Sequence, residues 1–349
     1  MICKTFHQLS KERLKTILNL YPNVRIAVIG DFCLDVYWIL DMSMSEPSLE
    51  TRKMTRPVKE QRYSLGGAGN VAANLYELGV VEIHVFGIVG DDPFGHKMLS
   101  LLKEKSNCDH LLVSNAKSWQ TLAYCKPYIG NEECQRLDMG QFNRLPDTIS
   151  EELVGRLAAG VSSFDIIIIN QQMTSGIHTA FLREQLGNLI TQKKGRVFIY
   201  DGRQVQDTYR DVWLKLNAHE ALRLCGKEKD TTDVVPTDEV IKAIEIIFKR
   251  MGRSVVVTLG EQGCVICTDD GIMKIPGIQV MKQIDPVGAG DSFLAGLSAS
   301  LACGASLEEA AQIGNYVASV TITKMGQTGT ATPGEIMEVG ASPLYNEEL

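Results

Sequence analysis

Apolar runs bounded by turn residues alternate with helical periodicities over most of this chain. The runs at Val24–Ile29, Ile83–Val89, Asp165–Asn170, Val197–Tyr200, Trp213–Leu216 and Ser254–Leu259 are short and nearly continuous, which predicts strands buried on both faces. Between them, Val71–Leu78, Pro93–Lys105, Glu151–Ala159, His178–Gln192 and Thr237–Met251 carry apolar positions at helical spacing. Repeated strand–helix order predicts an α/β fold: a doubly wound, mostly parallel sheet with helices on both faces and a ligand site at the carboxyl ends of its strands. Ser306-Leu307-Glu308-Glu309 is a capping box that opens a further helix, with Ala310, Ala311, Gly314, Val317, Ala318 and Thr321 at close-packing positions. Residues 1–23 form an N-terminal extension, with Leu9, Leu14, Ile17, Leu18 and Leu20 at helical spacing.

Two segments break the pattern. Thr51–Ser64 and Gln120–Asp138 are rich in residues that favour extended backbone, and the second contains the hairpin signal Gly130-Asn131. They predict a small sheet outside the main layer, inserted at about 51–64 and 120–138. Such a sheet could cover the site as a lid or offer its open face to a second subunit.

The 349 residues, 44% hydrophobic and 22% charged, can fill a large core. A net charge of −7 gives no general attraction to nucleic acid or to an anionic membrane, so neither is expected as a partner. The cluster Arg52, Lys53, Arg56, Lys59 and Arg62 is local and reads as a solvated edge strand. No stretch approaches 18 consecutive apolar residues and the N-terminus lacks the apolar core of a signal peptide, which gives the expectation of a soluble, cytoplasmic protein. The nine cysteines are scattered through apolar runs, as expected of reduced thiols used as small core residues. The C-x-x-C at Cys264–Cys267 has no second pair or nearby histidine and reads as strand, and the six histidines show no ligand spacing.

Candidate chemistry concentrates in Asp285-Pro286-Val287-Gly288-Ala289-Gly290-Asp291, which leads into an apolar helical run. Gly288 and Gly290 lack Cβ atoms, so backbone amides there can approach an anion closely, and the start of a helix adds unpaired N–H groups and a favourable dipole. Asp291 would sit beside that anion. A carboxylate next to phosphate is explained if it accepts the proton of a hydroxyl attacking phosphorus; the plainer reading is an acidic residue in a first helical turn. A second glycine cluster, Leu65-Gly66-Gly67-Ala68-Gly69-Asn70, contains G-x-G-x-x-A but follows the first strand, and no acidic residue ends the next one, so it is not a dinucleotide fingerprint. Gly66 and Gly67 could instead let the chain approach a polyol, with Asn70 offering a donor and an acceptor, or the cluster could simply cap a helix.

Taken together, these residues resemble the ribokinase-like sugar kinases of the PfkB family over roughly residues 24–334. The two glycine regions carry the resemblance, with Asn217-Ala218-His219-Glu220 similar to the family's N-x-x-E and Thr258-Leu259-Gly260-Glu261-Gln262-Gly263 similar to its T-x-G-x-x-G. The resemblance implies a doubly wound sheet with a β lid, often joined to another lid in a homodimer, and a kinase that uses ATP and Mg²⁺. It implies Asp291 as catalytic base and Gly288, Ala289 and Gly290 as the anion hole for the transferring phosphoryl group. Asn217 and Glu220 would organise Mg²⁺ through water; as residues alone they read equally as a helix cap and its acidic partner. Thr258, Gly260 and Gly263 would border the nucleotide, with Asn315 near adenine. Asp35, Gly67 and Asn70, beside Gly66, would hold sugar hydroxyls. Asp285 is either a ligand of a monovalent cation such as K⁺ or a loop cap.

Within the family, Gly30-Asp31-Phe32-Cys33-Leu34-Asp35-Val36-Tyr37-Trp38 and Arg136-Leu137-Asp138 resemble segments of the heptose-phosphate kinases of the lipopolysaccharide pathway, which places Arg136 among the substrate-binding candidates. The chain departs from those kinases at Asn170–Gly176, where a D-Y-x-K-G-like run is expected, and at Ser45–Glu50, where a Ser-Pro-Glu-Ala-Pro-like run is expected; the adenylyltransferase domain that often follows is absent from this sequence. Asn170 and Gln171 either touch substrate or end a strand. The expected reaction is ATP-dependent phosphorylation of a sugar or sugar-phosphate hydroxyl. A nucleoside or other small-alcohol kinase of the same fold, and a non-catalytic sugar- and nucleotide-binding regulator, are the alternatives.

Overall fold

The computed structural model describes residues 4–114, 119–203, 208–230 and 232–346. Its strands are β1 (Arg25–Gly30), β2 (Phe32–Leu40), β3 (Val58–Gly67), β4 (Glu82–Gly90), β5 (Leu111–Ser114), β6 (Leu122–Ile129), β7 (Glu132–Glu133), β8 (Leu137–Met139), β9 (Ile166–Gln171), β10 (Val197–Gly202), β11 (Trp213–Asn217), β12 (Val255–Thr258), β13 (Cys264–Thr268) and β14 (Gly271–Ile275). Its helices are α1 (Lys11–Leu18), α2 (Ala68–Glu77), α3 (Pro93–Lys103), α4 (Asp147–Gly160), α5 (Ala180–Gln192), α6 (Ala218–Leu224), α7 (Thr237–Met251), α8 (Ala289–Ala302), α9 (Leu307–Thr321) and α10 (Pro333–Ala341).

Nine strands form the main sheet in the order β14-β13-β12-β11-β10-β9-β1-β4-β5. The pairings from β5 to β12 are parallel, and β13 and β14 add an antiparallel edge. Strand alternation divides the core into two layers. Ile26, Val28 and Ile168 face one layer, with Val71 of α2, Phe293 of α8 and Ile313 of α9. Ala27, Ile29, Ile167 and Ile169 face the other, with Leu153 of α4, Leu182 of α5 and Ile244 of α7. This is why the strands read as unbroken apolar runs. Cys264 lies in the first layer and Cys267 in the second, so the C-x-x-C thiols sit on opposite faces of β13 and cannot share a metal. The chain builds β1, β4 and β5 outward in one direction and then returns to β9 on the far side of β1. That switch point puts the cleft outside the carboxyl ends of β1 and β9.

The second sheet runs β3-β2-β6-β7, with β8 paired to β6. Its central strand, β2, pairs antiparallel with β3 and parallel with β6. The composition of 51–64 and 120–138 had not pointed to this strand, because Phe32–Leu40 is as apolar as a strand of the main layer. Only Val58 onward is strand in the first of those segments. Before it, Arg52 turns with φ 61°, its amide donates to Ser48 O, and Pro57 precedes the first residue paired with β2. Helix α4 begins at Asp147, earlier than the periodicity suggested, because Pro146 fixes the entry. Helix α5 begins after His178, where the Thr179 hydroxyl caps the Leu182 amide. No helix among the described residues is long and apolar enough to cross a membrane.

Candidate active site

The first turn of α8 is set by Gly288, which occupies the left-handed region (φ 81°) at the N-cap. A Cβ there would lie 2.7 Å from Asn70 Nδ2, so backbone and side chain are in direct apposition. Gly288, Ala289, Gly290 and Asp291 are all partly accessible, whereas Ser292–Ser300 are buried. The turn therefore lines the cleft and the helix behind it is core. Asn70 Nδ2 donates to Asp291 Oδ2 at 2.9 Å. Asn70 is itself oriented by Asn74, whose Nδ2 donates to Asn70 Oδ1 at 3.0 Å. Asn70 thus holds the carboxylate in place, a use beyond the sugar contact suggested by the sequence.

Removal from water pushes the Asp291 carboxyl up to about 6. The Asn70 hydrogen bond opposes that rise, the Asp201 carboxylate adds to it, and Lys215 and Arg203 counteract it. Lys215 and Asp201 form a buried pair, with Nζ 3.2 and 3.1 Å from the two carboxylate oxygens. Burial works against the ammonium charge, but Asp201, Glu220 and Asp291 together outweigh it and hold Lys215 above its ordinary value. A Cβ on Gly290 would lie 3.0 Å from Lys215 Nζ, which places this cation against the glycine turn. Sequence reasoning missed both members of the pair. The available signal was a charge within a buried strand, Trp213-Leu214-Lys215-Leu216, and an acid ending the neighbouring one.

Asn217 and Glu220 form a reciprocal capping box at the start of α6: Asn217 Oδ1 accepts from Glu220 N at 2.9 Å, and Glu220 Oε2 accepts from Asn217 N at 2.8 Å. The helix-cap reading of these residues is thus realised in the fold. Burial raises the Glu220 carboxyl, Asp201 raises it further, and Lys215 leads the opposing effects. No group of three or more His, Cys, Asp or Glu side chains poised for a metal occurs among the described residues. The donors present suit Mg²⁺, which keeps several waters and takes one or two carboxylates alongside substrate phosphates.

On the lid side, Asp35 of β2 pairs with Lys126 of β6 at 2.7 Å, and Lys126 also lies 5.0 Å from the centre of the Tyr37 ring. Gly66 makes room for this carboxylate: a Cβ there would stand 3.0 Å from Asp35 Oδ2. Arg136 makes a bidentate pair with Asp138, at 2.6 and 2.8 Å, and stacks 4.5 Å over Tyr124, the residue opposite Asp35 in the sheet register. Cys33 lies among Asp31, Asp35 and Asp291; burial, then these charges, raise its thiol far above the ordinary range and keep it from acting as a nucleophile.

Gly67 (φ 54°) leaves no space for a side chain, since a Cβ would meet Asp31 O at 2.4 Å. The Asp31 side chain, unremarked in the sequence, is a clamp: its carboxylate accepts from the amides of Gln172 and Met173, both at 2.9 Å, and Ile177 at 2.7 Å. This fixes the Asn170–Gly176 segment. Asn170 is fully buried near the end of β9, and Gln171, its last residue, accepts from the Tyr200 hydroxyl at 2.9 Å.

Beyond the glycine turn, a cavity of about 350 Å³ is lined by Gly260, Gly277, Pro286, Ala289, Asn315 and Ser319, among others. Thr258 lies opposite Asn217 in the register and its hydroxyl donates to Leu216 O at 3.3 Å. Gly260 and Gly263 have φ of 62° and 89°, and a Cβ on Gly263 would collide with Ile275 O. Asn315 Nδ2 donates to Pro276 O at 3.2 Å, which holds α9 to the cavity wall. Asp285 spans two loops, accepting from Val287 N and Gly326 N, both at 3.1 Å. It thus joins these loops as a cap would.

A family model described as pfkB family carbohydrate kinase matches residues 25–333. The bifunctional protein HldE of Campylobacter fetus is 28% identical over 317 residues, covering 90% of this chain and 66% of that protein. The chain thus spans just under two thirds of the length of that relative. Among solved structures, Arabidopsis thaliana ribokinase complexed with ribose and ATP aligns with TM-score 0.69 at 19% identity, covering 91% of this chain and 98% of that one. Escherichia coli phosphofructokinase-2 in complex with potassium aligns with TM-score 0.68 at 22% identity, covering 91% and 98%.

Proposed function

Since the chain belongs to the pfkB family of carbohydrate kinases, a family of phosphotransferases acting on sugar hydroxyls, we propose that it transfers the γ-phosphoryl group of ATP to a hydroxyl of a sugar or sugar phosphate, with Asp291 as base. The observation that carries this reading is the Asp291 carboxyl, raised to about 6, held by Asn70 at 2.9 Å and placed at a glycine turn that lines the cleft. A carboxylate with that affinity is ionised at neutral pH yet basic enough to accept a proton as the acceptor oxygen attacks.

The amides of the Gly288–Gly290 turn and the dipole of α8 would receive the charge that builds on the transferring group, while Lys215, held by Asp201, adds a positive field close by. Bound with ATP, Mg²⁺ supplies neutralisation of the phosphate charge. Glu220, its Oε2 fixed by the Asn217 amide, would hold it through water. Nucleotide would fill the cavity of about 350 Å³ that ends at Ala289. The acceptor would lie between Asp291 and the lid, where Asp35 suits hydroxyls and Arg136 suits an anionic substituent. Heptose phosphates belong in the acceptor panel because Gly30–Trp38 and Arg136–Asp138 resemble kinases of that class, but the departures at Ser45–Glu50 and Asn170–Gly176 give them no precedence over other sugars. The reading also includes a homodimer joined through the second sheet, whose exposed Val58, Ile129 and Leu137 offer apolar contact.

The test is ADP release from Mg·ATP across hexoses, pentoses, heptoses, their phosphates and nucleosides, with Asp291→Asn as control. Release that requires one acceptor class and disappears in the control is the expected result. Release from a nucleoside alone would change the acceptor class, and undiminished release in the control would remove Asp291 from its role.

A further inference from the structure

The cavity assigned above to the nucleotide has a wall that none of the family-like motifs supplies. The segment Leu344–Asn346 pairs with residues 277–279 through one isolated antiparallel bridge: Gln279 N donates to Leu344 O at 2.7 Å, Asn346 N donates to Gly277 O at 2.9 Å, and Ile278 bridges to Tyr345. Asn346 lines the cavity, and its Nδ2 donates to Glu261 O at 2.5 Å, reaching across to the Gly260–Gly263 turn. Tyr345 does not line it. Its hydroxyl bonds the Tyr316 hydroxyl of α9 at 2.9 Å, and its ring packs edge-on against Phe6 with centroids 5.3 Å apart. Tyr316 is fully buried and adjoins Asn315, whose helix face continues into the cavity through Ala318, Ser319 and Ile322.

Two walls of one cavity, α9 and the 277–279 segment, are therefore tied together by a third. Resting on the kinase reading for the identity of the ligand, we infer that Leu344–Asn346 sets the width of the base-binding cavity, with Tyr345 a positioning residue and Asn346 a contact for the heteroaromatic base of ATP. The lining fits a flat, hydrogen-bonding group: it combines carboxamides from Gln279, Asn315 and Asn346 with apolar Ala318 and Ile322, and Glu261 and Lys282 are its charged members. The cavity that Asn346 lines includes neither Asp35 nor Lys126 of the lid pair, so the effect is expected on nucleotide and not on acceptor.

The experiment measures Mg·ATP binding by calorimetry together with KM for ATP, KM for the acceptor, and kcat. Tyr345→Ala is expected to weaken ATP about tenfold, with acceptor KM and kcat within about twofold of wild type. Tyr345→Phe keeps the contact with Phe6 and loses only the bond to Tyr316, and should recover to within about threefold. Should Tyr345→Ala fail to fold, Asn346→Ala, which keeps the backbone pairing, carries the test with an expected loss of about threefold to tenfold in ATP affinity. Unchanged ATP affinity in the folded variants would overturn the inference. So would a parallel rise in both KM values with a fall in kcat, the sign of general loosening. A wild-type protein that binds Mg·ATP but phosphorylates no acceptor would overturn the kinase reading alone, because the calorimetric comparison still decides this one. A wild type that binds no nucleotide would overturn both.

Discussion

The two glycine turns that open α2 and α8 look alike in sequence, yet the fold uses them in opposite ways. Each enters a helix through a glycine with positive φ, Gly67 at 54° and Gly288 at 81°, and neither helix has a side-chain cap. At α2, the first amide, Ala68 N, donates to Asp31 O at 3.0 Å, and Ala68 through Leu75 are all buried. At α8, the four residues Gly288–Asp291 remain partly open to the cleft. The first amide of α8, Ala289 N, likewise donates to a backbone oxygen, Pro286 O at 3.1 Å, so the two turns differ in exposure: one is closed onto the β1–β2 connection and the other lies open at the cleft. They meet where Asn70 of the first holds Asp291 of the second. A glycine-rich helix start can serve a ligand only where the surrounding chain leaves it exposed, and of the two turns only the one at α8 meets that condition.

The sharpest test of that contrast is Asp291→Asn, which should lower kcat by about two orders of magnitude or more while leaving ATP affinity nearly intact, as read by steady-state kinetics and calorimetry. The same variant should be more stable than wild type at neutral pH. The folded-state carboxyl is raised to about 6 from its ordinary 3.8, so the native protein binds more protons than the unfolded chain between those values. Its stability contribution is present below about 4 and lost as pH rises through about 6. Asparagine removes that loss, for a gain of about 1–3 kcal/mol at pH 7.5 that vanishes below pH 4, measurable by denaturant titration.

Next in size come alanines at the two positive-φ glycines. Gly288→Ala would set a Cβ against Asn70 Nδ2 and should cut turnover about tenfold or more with a modest change in stability. Gly67→Ala would drive a Cβ into Asp31 O and should cost about 2–4 kcal/mol of stability, seen as a lower thermal midpoint. Equal losses of turnover and stability in both variants would break the distinction between an open turn and a closed one.

Most of the architecture was legible because strands buried on both faces read as unbroken apolar runs, and the glycine motifs marked both helix starts. What the residues alone could not reveal depended on contacts distant in sequence. Asp31 is an ordinary acid until Gln172, Met173 and Ile177 fold onto it, 141 to 146 residues later. Lys215 and Asp201 lie 14 residues apart on adjacent strands, and only the parallel register makes them partners. β2 escaped attention as a strand of the second sheet because an apolar strand carries no label of the sheet it joins. Asn217 and Glu220 show the reverse case: the spacing that resembles a family motif is also a capping box, and the fold uses it as one.

The smallest predicted effect examines the point where the two turns touch. Asn70 donates to the ionised form of Asp291, so it favours ionisation and opposes the effect of burial. In wild type, kcat/KM should rise with pH through about 6 as Asp291 loses its proton. Asn70→Ala removes that hydrogen bond and leaves burial and Asp201 unopposed from this side, so the acid limb should move upward by about 0.5–1 in pH. Activity at pH 8 should fall less than activity at pH 6, since only the second lies on the displaced limb. An Asn70 that served the acceptor alone would change the acceptor KM and leave the limb in place. A limb displaced upward with ATP affinity unchanged would show that the closed turn acts on the reaction through the open one.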